Sequence, residues 1–211
     1  MANMESYLTP VGYGEAELIE KRSRFIGRVW LTEDEDEAIA RIKEMREKHW
    51  DATHNVYAYH IRATGAMRYS DDGEPSGTSG MPTLNVFRNE EIVNFCCVIT
   101  RYFGGILLGA GGLVRAYSAA AKLALDAAGI QRMAQWTAFR LSCSYAQYER
   151  VRRVLEAHAC ITENCDFGAA VVIDGLIRSD GFDGLRAALT ELTAGTVPIS
   201  ETDTCFRGIR I

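Results

Sequence analysis

The chain has 211 residues, and 23 lysines and arginines against 28 aspartates and glutamates give a net charge of −5. Hydrophobic residues make up 47% and charged residues 24% of the sequence, as in an ordinary soluble globular protein. These values exclude a disordered regulator, a collagen-like chain and a strongly basic nucleic-acid module. The length predicts one large domain or two small ones.

Neither a membrane segment nor an export signal is predicted. The longest uncharged apolar run, 102–114, is shorter than the roughly 20 residues that a membrane span needs. The N-terminus lacks the basic and apolar regions of a signal peptide. The six cysteines contain no CxxC pair, which favours reduced thiols over a zinc site. We therefore expect a cytoplasmic protein with no membrane contact, no metal and no cofactor.

The first two thirds of the sequence predict strands and helices around one long loop. The predicted elements are strands 15–21 and 24–31, a helix that ends near 49, strand 54–61, loop 70–80, a helix from about 79 to 88, strand 91–102 and helix 113–128. Thr32 with Glu35 fits a capping box at the start of the first helix. The almost continuous apolar run in 91–102 is typical of a strand buried on both faces.

The character of the sequence changes after Ile130, and 131–136 are predicted to link two domains. The elements that follow are strand 138–143, helix 145–157, strands 161–167 and 169–178, helix 179–192 and strand 197–207. This βαββαβ order is that of a ferredoxin-like unit. The predicted domains are therefore 1–133 and 137–211.

The segment 104–112 holds five glycines within nine residues, between the buried strand and a helix. Such glycines leave backbone N–H groups uncovered at the positive end of a helix, which suits an anion. Arg101 and Arg115 would add positive charge on either side of the turn. The candidate binding glycines are Gly104, Gly105, Gly109, Gly111 and Gly112. The alternative is that these glycines only allow close packing of strand and helix, and in both cases valine at Gly105 or Gly111 should destabilise the turn through lost φ freedom.

Known nucleotide-binding patterns do not match this turn. Gly104 and Gly109 have the spacing of a P-loop, but Ala110 and Gly111 stand where the P-loop has Lys and Ser or Thr. A dinucleotide-binding fingerprint that begins at Gly109 would need glycine in place of Val114. Nucleotide hydrolysis is therefore not expected.

The loop 70–80 is polar and carries three carboxylates. They are near enough in sequence to share a divalent cation, but ordinary turn chemistry and a recognition surface are the stronger alternatives. The candidate binding residues of this loop are Asp71, Asp72, Glu74, Ser76 and Thr78.

Two histidines, His54 and His60, lie on one predicted strand. Six residues of extended chain separate them by about 20 Å, too far for the two to bind one metal. The ordinary interpretation of each histidine is that its ring forms hydrogen bonds within the fold and has no ligand. His54, at the start of the strand, is also a candidate binding residue.

Three segments carry a family resemblance. They are 52–59 (ATHNVYAY), 70–80 (SDDGEPSGTSG) and 100–117 (TRYFGGILLGAGGLVRAY). Read together, they resemble the IMPACT family in its bacterial, two-domain YigZ type. The second and third motifs are long and unusual. The resemblance extends over essentially the whole chain and is strongest over 15–130.

The resemblance implies an α+β fold with two domains. The N-terminal part would be a two-layer α/β domain similar to domain 2 of ribosomal protein S5 and to domain IV of elongation factor G. The C-terminal part would be ferredoxin-like and similar to the last domain of elongation factor G. Eukaryotic members regulate translation through a kinase pathway that bacteria lack, so that role does not carry over. The resemblance also supplies no catalytic residues.

We therefore expect a non-catalytic binding protein whose partner is the ribosome, a structured RNA or a translation-associated protein. Tight binding of free nucleic acid is not expected, because 54–118 contain five arginines, no lysine and five acids. Met81 and Leu107 stand where relatives carry basic residues, which predicts weaker phosphate binding. One alternative is an enzyme or sensor for a small phosphorylated or nucleotide ligand at the glycine-rich turn. Another is a protein–protein regulator without nucleic-acid contact.

Overall fold

Two five-stranded sheets with helices packed against them make up residues 6–211, which a computed structural model describes. Residues 7–132 form one unit together with 208–211, and 133–207 form the other. The mixed α+β class predicted from the sequence is confirmed. Among the described residues, no helix has the length and apolar character needed to cross a bilayer.

The first unit is built around one antiparallel sheet. Its elements are β1 Tyr7–Pro10, β2 Gly14–Glu20, β3 Ser23–Leu31, α1 Glu35–Lys48, β4 His54–Ile61, β5 Ala66–Ser70, α2 Gly80–Asn89, β6 Phe95–Tyr102 and α3 Ala110–Ala128. The strands follow the order β2-β3-β6-β4-β5. The short strands β1 and β5 were not predicted. Strand β6 begins at Phe95 rather than at Glu91, because Glu91 and Asn94 have left-handed backbone angles that interrupt extended structure.

The central strand β6 explains the apolar run seen in the sequence, since helices cover both of its faces. Cys97 and Ile99 belong to the core shared with α2 and α3. Cys96 and Val98 belong to a second core, where Met45 of α1 is buried. Successive side chains of a strand point to opposite faces, so a strand between two helical layers has no polar side. Helix α1 thus packs on the face of the sheet opposite to α2 and α3, in addition to the two layers that the sheet forms with those helices.

The N-terminal cap of α1 is Asp34, whose side chain accepts a hydrogen bond of 2.7 Å from the backbone N–H of Glu37. The Thr32 hydroxyl instead donates to the carbonyl of Trp30. The predicted capping box at Thr32 is therefore wrong. Thr32 and Glu33 connect the end of β3 to the helix, which begins only after them.

The second unit has the predicted βαββαβ order. Its elements are β7 Ile130–Cys143, α4 Tyr145–Ala157, β8 Ile161–Phe167, β9 Val171–Arg178, a 3-10 turn Ser179–Gly181, α5 Phe182–Thr193 and β10 Ile199–Arg210. Strand β9 lies between β7 and β8, and β10 also pairs with β7. The division between the two units falls within the predicted linker 131–136, and these residues are the first half of β7 rather than irregular chain. Ala134 and Trp136 are buried there, as alternate residues of a strand can be.

Candidate functional site

The register between β4 and β6 brings two of the predicted site residues together. His54 at the start of β4 lies directly opposite Arg101 near the end of β6. Directly opposite residues of an antiparallel pair project from the same face of the sheet. Beyond Arg101 the chain enters the glycine-rich turn and then α3. The predicted histidine and arginine therefore share one corner of the sheet, beside the turn.

A cavity of about 330 Å³ lies at this corner, between the loop that follows β5 and the turn that precedes α3. We call it the corner pocket. Its walls are mostly apolar, and polar side chains form its floor. The wall side chains are Pro75, Phe103, Leu107, Leu108 and Leu113, and the floor side chains are His54, Glu74 and Arg101. The volume is at the lower end of the range of small-ligand sites.

Glu74 forms a buried ion pair on the floor of the corner pocket. Its Oε1 accepts from Arg101 Nη1 at 2.5 Å and from the Tyr117 hydroxyl at 2.7 Å. The side chains of Glu74 and Arg101 are only 3% and 6% exposed. Burial, followed by the charge of Glu74 and the hydrogen bond to it, raises the pKa of Tyr117 well above its usual value. The phenol therefore stays protonated and acts as a donor.

The second oxygen of Glu74 has a different environment. Oε2 lies 3.8 Å from His54 Nε2, which is beyond hydrogen-bond distance. The other ring nitrogen, His54 Nδ1, lies 2.8 Å from the backbone carbonyl of Asp72. Because a carbonyl only accepts, Nδ1 carries the hydrogen, and Nε2 of a neutral ring is an acceptor. The carbonyl of Asp72 thus orients the His54 ring beside Glu74.

The two terminal nitrogens of Arg101 are engaged by its own protein. Its guanidinium also donates to Ser23 Oγ at 3.3 Å, and it lies 5.2 and 5.5 Å from the ring centres of Phe25 and Phe103. Its Nε is buried without a hydrogen-bond partner in the described part of the chain. The charge of Arg101 is therefore neutralised by Glu74 and does not face solvent.

Asp71 organises the loop instead of facing a ligand. Its Oδ1 accepts from the Ser79 hydroxyl at 2.7 Å and from the N–H groups of Ser79 and Gly80, and its Oδ2 accepts from the N–H of Gly77 at 2.8 Å. Asp71 thereby accepts hydrogen bonds from backbone N–H groups at the start of α2. The N-cap residue of this helix, Ser79, makes no side-chain cap bond itself. Burial works to raise the pKa of Asp71, but the hydrogen bonds outweigh burial and the pKa lies below its usual value.

The other loop residues also bind within the protein. Asp72 pairs with Arg46 at 2.7 Å and accepts from the backbone N–H of Asn55 at 2.7 Å. The buried Thr78 donates its hydroxyl to the carbonyl of Pro75. Ser76 is exposed. The three carboxylates of the loop are thus directed at separate partners, and no group of three metal-ligating residues is found in 6–211.

We expect Asp71→Asn to lower the free energy of unfolding at pH 7 by about 1–2 kcal/mol, because a hydrogen bond to a charged carboxylate is lost and its donor is left unpaired. An asparagine can keep the bonds at Oδ1, but its amide hydrogens would face the N–H of Gly77. A carboxyl whose pKa is lowered by folding stabilises the fold fully above its unfolded-state pKa, and this contribution is lost as pH falls through the folded-state pKa. The stability difference between the variant and the wild type should therefore begin to shrink as the pH falls below about 3.8, the ordinary pKa of an aspartate. Urea unfolding at pH 7 and pH 3 measures both effects.

Asp183→Asn is the matched control, since that side chain is 93% exposed. We expect it to change the free energy of unfolding by less than about 0.5 kcal/mol. Equal stability of Asp71→Asn and the wild type at pH 7 would contradict the stabilising bond between the Asp71 carboxylate and the N–H of Gly77.

The five glycines of the turn have different roles. A Cβ at Gly104 would lie 2.0 Å from the backbone carbon of Arg22, so this glycine permits close packing on the β2–β3 hairpin. Gly105 and Gly109 have positive φ. Gly111 and Gly112 lie within α3. The prediction that Gly111→Val removes φ freedom is wrong, because Gly111 has ordinary helical geometry and its nearest neighbouring atom is 3.6 Å from a Cβ.

The first turn of α3 opens beside the corner pocket. Gly109 is the N-cap, and the first intrahelical bond runs from the N–H of Leu113 to the carbonyl of Gly109. The N–H groups of 110–112 therefore have no partner within the helix. Gly109 and Ala110 line the pocket. The positive end of α3, where the sequence predicts an anion, therefore lies beside the pocket.

The turn exposes a row of apolar side chains. Phe103, Ile106 and Leu107 are 44%, 41% and 82% exposed. We call them the apolar tip. Adjacent exposed apolar side chains on a soluble domain mark contact sites more often than isolated ones do.

A second cavity, of about 250 Å³, is lined by side chains of both charges, among them the acid Glu20. Lys21 and Arg115 line it, and Leu108 lines both cavities. Arg115 is exposed, and no acidic side chain in 6–211 pairs with it or with Lys21. The sequence predicted Arg115 but not Lys21, because only the packing of the β2–β3 hairpin against the turn brings Lys21 close.

Tyr117 was not predicted as a site residue, because helical spacing placed it on the apolar face of α3. Its ring is fully buried and packs edge-on against Phe25, 5.1 Å between ring centres. A buried tyrosine hydroxyl usually has a hydrogen-bond partner. From the sequence, this rule predicts a hydrogen-bond partner for Tyr117, but it does not identify Glu74 as that partner.

Comparisons with known proteins agree with this architecture. The Impact N-terminal domain model matches 21–125, and a domain of unknown function, DUF1949, matches 141–196. The IMPACT family member YvyE of Bacillus subtilis is 32% identical over 96% of this chain and 94% of its own length. For YigZ of Escherichia coli the identity is 32% over 93% of this chain and 98% of its own.

Two further comparisons extend this result. The Protein IMPACT homolog of Dictyostelium discoideum is 35% identical, but the match covers only 47% of this chain and 30% of that protein. A crystal structure of a hypothetical protein aligns with a TM-score of 0.60 and 31% identity, over 95% of this chain and 99% of that one. The similarity to the bacterial proteins therefore extends over both units, whereas the eukaryotic similarity covers about half of the chain.

Proposed function

Because the chain belongs to the IMPACT family, we propose that it is a non-catalytic binding protein that acts on the translation machinery. It contacts the ribosome through the apolar tip and the rim of the corner pocket. The observation that carries the proposal is the exposure of Phe103, Ile106 and Leu107 in one short turn, together with the place of Phe103 and Leu107 in the lining of that pocket. Burying one such side chain at an interface contributes about 1.5–3 kcal/mol.

The charges favour a contact with a protein component of the ribosome over a contact with RNA. Arg101 is paired with Glu74, so the corner pocket offers no free guanidinium. Binding to a polyanion depends on many cations and weakens steeply with salt. A contact made by apolar side chains depends little on salt, and this difference can be measured.

The floor of the pocket supports a binding role better than a catalytic one. Tyr117 keeps its proton because burial and Glu74 raise its pKa. One oxygen of Glu74 is held by Arg101 and Tyr117. A general base or nucleophile must be free to exchange a proton or attack. Here these groups hold one another in place.

Co-sedimentation with purified ribosomes and subunits at about 50 and 200 mM salt tests the proposal. We expect saturation near one copy per subunit at both salt concentrations. Leu107→Asp should weaken binding about tenfold or more. The complex would no longer bury the leucine side chain, and it would have to desolvate a carboxylate.

Ile39→Asp is the matched control, because Ile39 is 53% exposed on α1 and lies outside the apolar tip. We expect it to sediment like the wild type. Absence of binding at both salt concentrations, or equal binding by Leu107→Asp, would overturn the proposal.

A further inference from the structure

Exposed cations lie beside the apolar tip. Lys21 and Arg22 form the bend of the β2–β3 hairpin, and Arg115 lies on α3, with all three side chains exposed. The glycine-rich turn contacts this hairpin, because a Cβ at Gly104 would lie 2.0 Å from the backbone carbon of Arg22. Leu108 lines both the corner pocket and the cavity that Lys21 and Arg115 line. The apolar tip and the three cations therefore belong to one part of the surface.

The positive charges of this surface are not neutralised within the described chain. In residues 6–211, Lys21, Arg22 and Arg115 form no ion pair with an acidic side chain. The lining of the second cavity also contains an acid, Glu20. The three cations outnumber this acid, so the surface beside the apolar tip has a net positive charge.

The position of Arg115 is unfavourable in the chain alone. Its Nη1 would lie 3.6 Å from a Cβ at Gly111, so the guanidinium lies back over the first turn of α3. The start of a helix carries a positive partial charge, which favours acidic side chains and disfavours cations. The first turn of α3 contains no acidic residue. A partner that brings a carboxylate to this place would therefore be stabilised by both the helix end and Arg115.

The corner pocket offers a place for an apolar group rather than for an ion. On its floor, Glu74 and Arg101 neutralise each other. Its walls are mostly apolar, and its volume of about 330 Å³ admits a bulky side chain. A bulky side chain that fills a desolvated pocket is the usual energetic anchor of a protein–protein contact. Phe103 and Leu107 of the apolar tip also line the pocket, so one partner segment can contact all of these features.

We propose that this surface binds an acidic segment of a partner protein. One bulky apolar side chain of the segment fills the corner pocket, and acidic side chains lie beside Lys21, Arg22 and Arg115. Three exposed cations are few for a contact with a polyanion, whereas an acidic protein segment matches both the cations and the apolar walls. The inference rests on the proposed function, in which the partner is a protein component of the ribosome, and it adds the chemistry of that partner.

Selection from a displayed library of random peptides against the full chain tests this chemistry. We expect the selected peptides to share a net negative charge and one bulky apolar residue. Alanine in place of that residue should weaken binding of a synthetic peptide about tenfold or more, measured by fluorescence anisotropy at about 150 mM salt. Selection of no peptides, or of peptides without net negative charge, would overturn the inference. Tighter binding of a random-sequence single-stranded RNA oligonucleotide than of the selected peptides would overturn it in favour of RNA.

A charge-reversal variant tests the role of the cations. We expect Arg115→Glu to weaken binding of a selected peptide about tenfold or more, because like charges then meet. The variant should fold normally, since it places an acid where the start of α3 favours one. Arg153→Glu, at an exposed position of α4, is the matched control and should bind like the wild type. Equal binding by Arg115→Glu and the wild type would overturn the inference.

A pocket-filling variant tests the location of the apolar anchor. Ala110 is an exposed residue of the first turn of α3 and lines the corner pocket, so Ala110→Trp should occlude the pocket without disturbing the core. Ala127→Trp, at an exposed position near the other end of α3, is the control. We expect Ala110→Trp to bind a selected peptide at least about tenfold more weakly and Ala127→Trp to bind it normally, with unchanged circular dichroism in both. Unchanged binding by Ala110→Trp would overturn the placement of the anchor.

The peptide and ribosome experiments have distinguishable outcomes. Co-sedimentation with ribosomes without selection of acidic peptides would support the proposed function and overturn the acidic partner. Acidic peptides that bind the wild type but not Arg115→Glu, without co-sedimentation, would support the binding surface and overturn its assignment to the ribosome.

Discussion

Glu74→Ala is expected to lower the free energy of unfolding by about 3–5 kcal/mol, the usual effect of removing one partner of a buried ion pair. Arg101 would keep its charge at a position where only 6% of its side chain is exposed. The Tyr117 hydroxyl would also lose its acceptor. Urea unfolding at pH 7, followed by circular dichroism, measures the change.

The double variant Glu74→Leu with Arg101→Met is the control for this prediction. It removes both charges together, and replacement of a buried ion pair by apolar side chains of similar volume is often close to neutral. We expect the double variant to regain most of the stability that Glu74→Ala loses. A double variant at least as unstable as Glu74→Ala would show that loss of packing, and not an unpaired charge, causes the effect.

Gly104→Ala is expected to lower the free energy of unfolding by about 3 kcal/mol, at the upper end of the effects of overpacking. The added Cβ would lie 2.0 and 2.2 Å from the carbonyl carbon and oxygen of Arg22 and 2.4 Å from the nitrogen of Ser23. These are backbone atoms of the β2–β3 hairpin, which cannot rotate away as a side chain can. The thermal midpoint and urea unfolding measure the change.

Gly111→Ala is the matched control in the same turn. Gly111 is an exposed helical residue, and its Cβ would have an ordinary contact of 3.6 Å with Arg115. Alanine in a helix is more favourable than glycine by about 0.5–1 kcal/mol, so this variant should be more stable than the wild type. Wild-type stability of Gly104→Ala would show that the turn does not pack on the hairpin in solution.

Local rules were sufficient for most of the secondary structure. Strand 54–61 and helix 145–157 were predicted with the bounds that the structure has. Both show regular spacing of apolar side chains, and capping or turn residues flank them. Local rules did not show that 131–136, interpreted as a linker from a change of composition, form part of β7. A polar pattern does not reveal the strand with which a segment will pair.

The sequence by itself determined the class of the fold, the βαββαβ order of the second unit, the family, and the two segments that border the candidate site. These properties depend on periodicity and on motifs read within short stretches of chain. Only the tertiary structure decided how the site residues are used. Glu74 lies 27 residues from Arg101 and 43 from Tyr117 along the chain, and strand pairing and helix packing bring them together. Arg101, which the sequence placed at an anion site, is therefore neutralised by an acid from the other segment. Charge neutralisation requires two atoms at contact distance, and that distance is set by the fold.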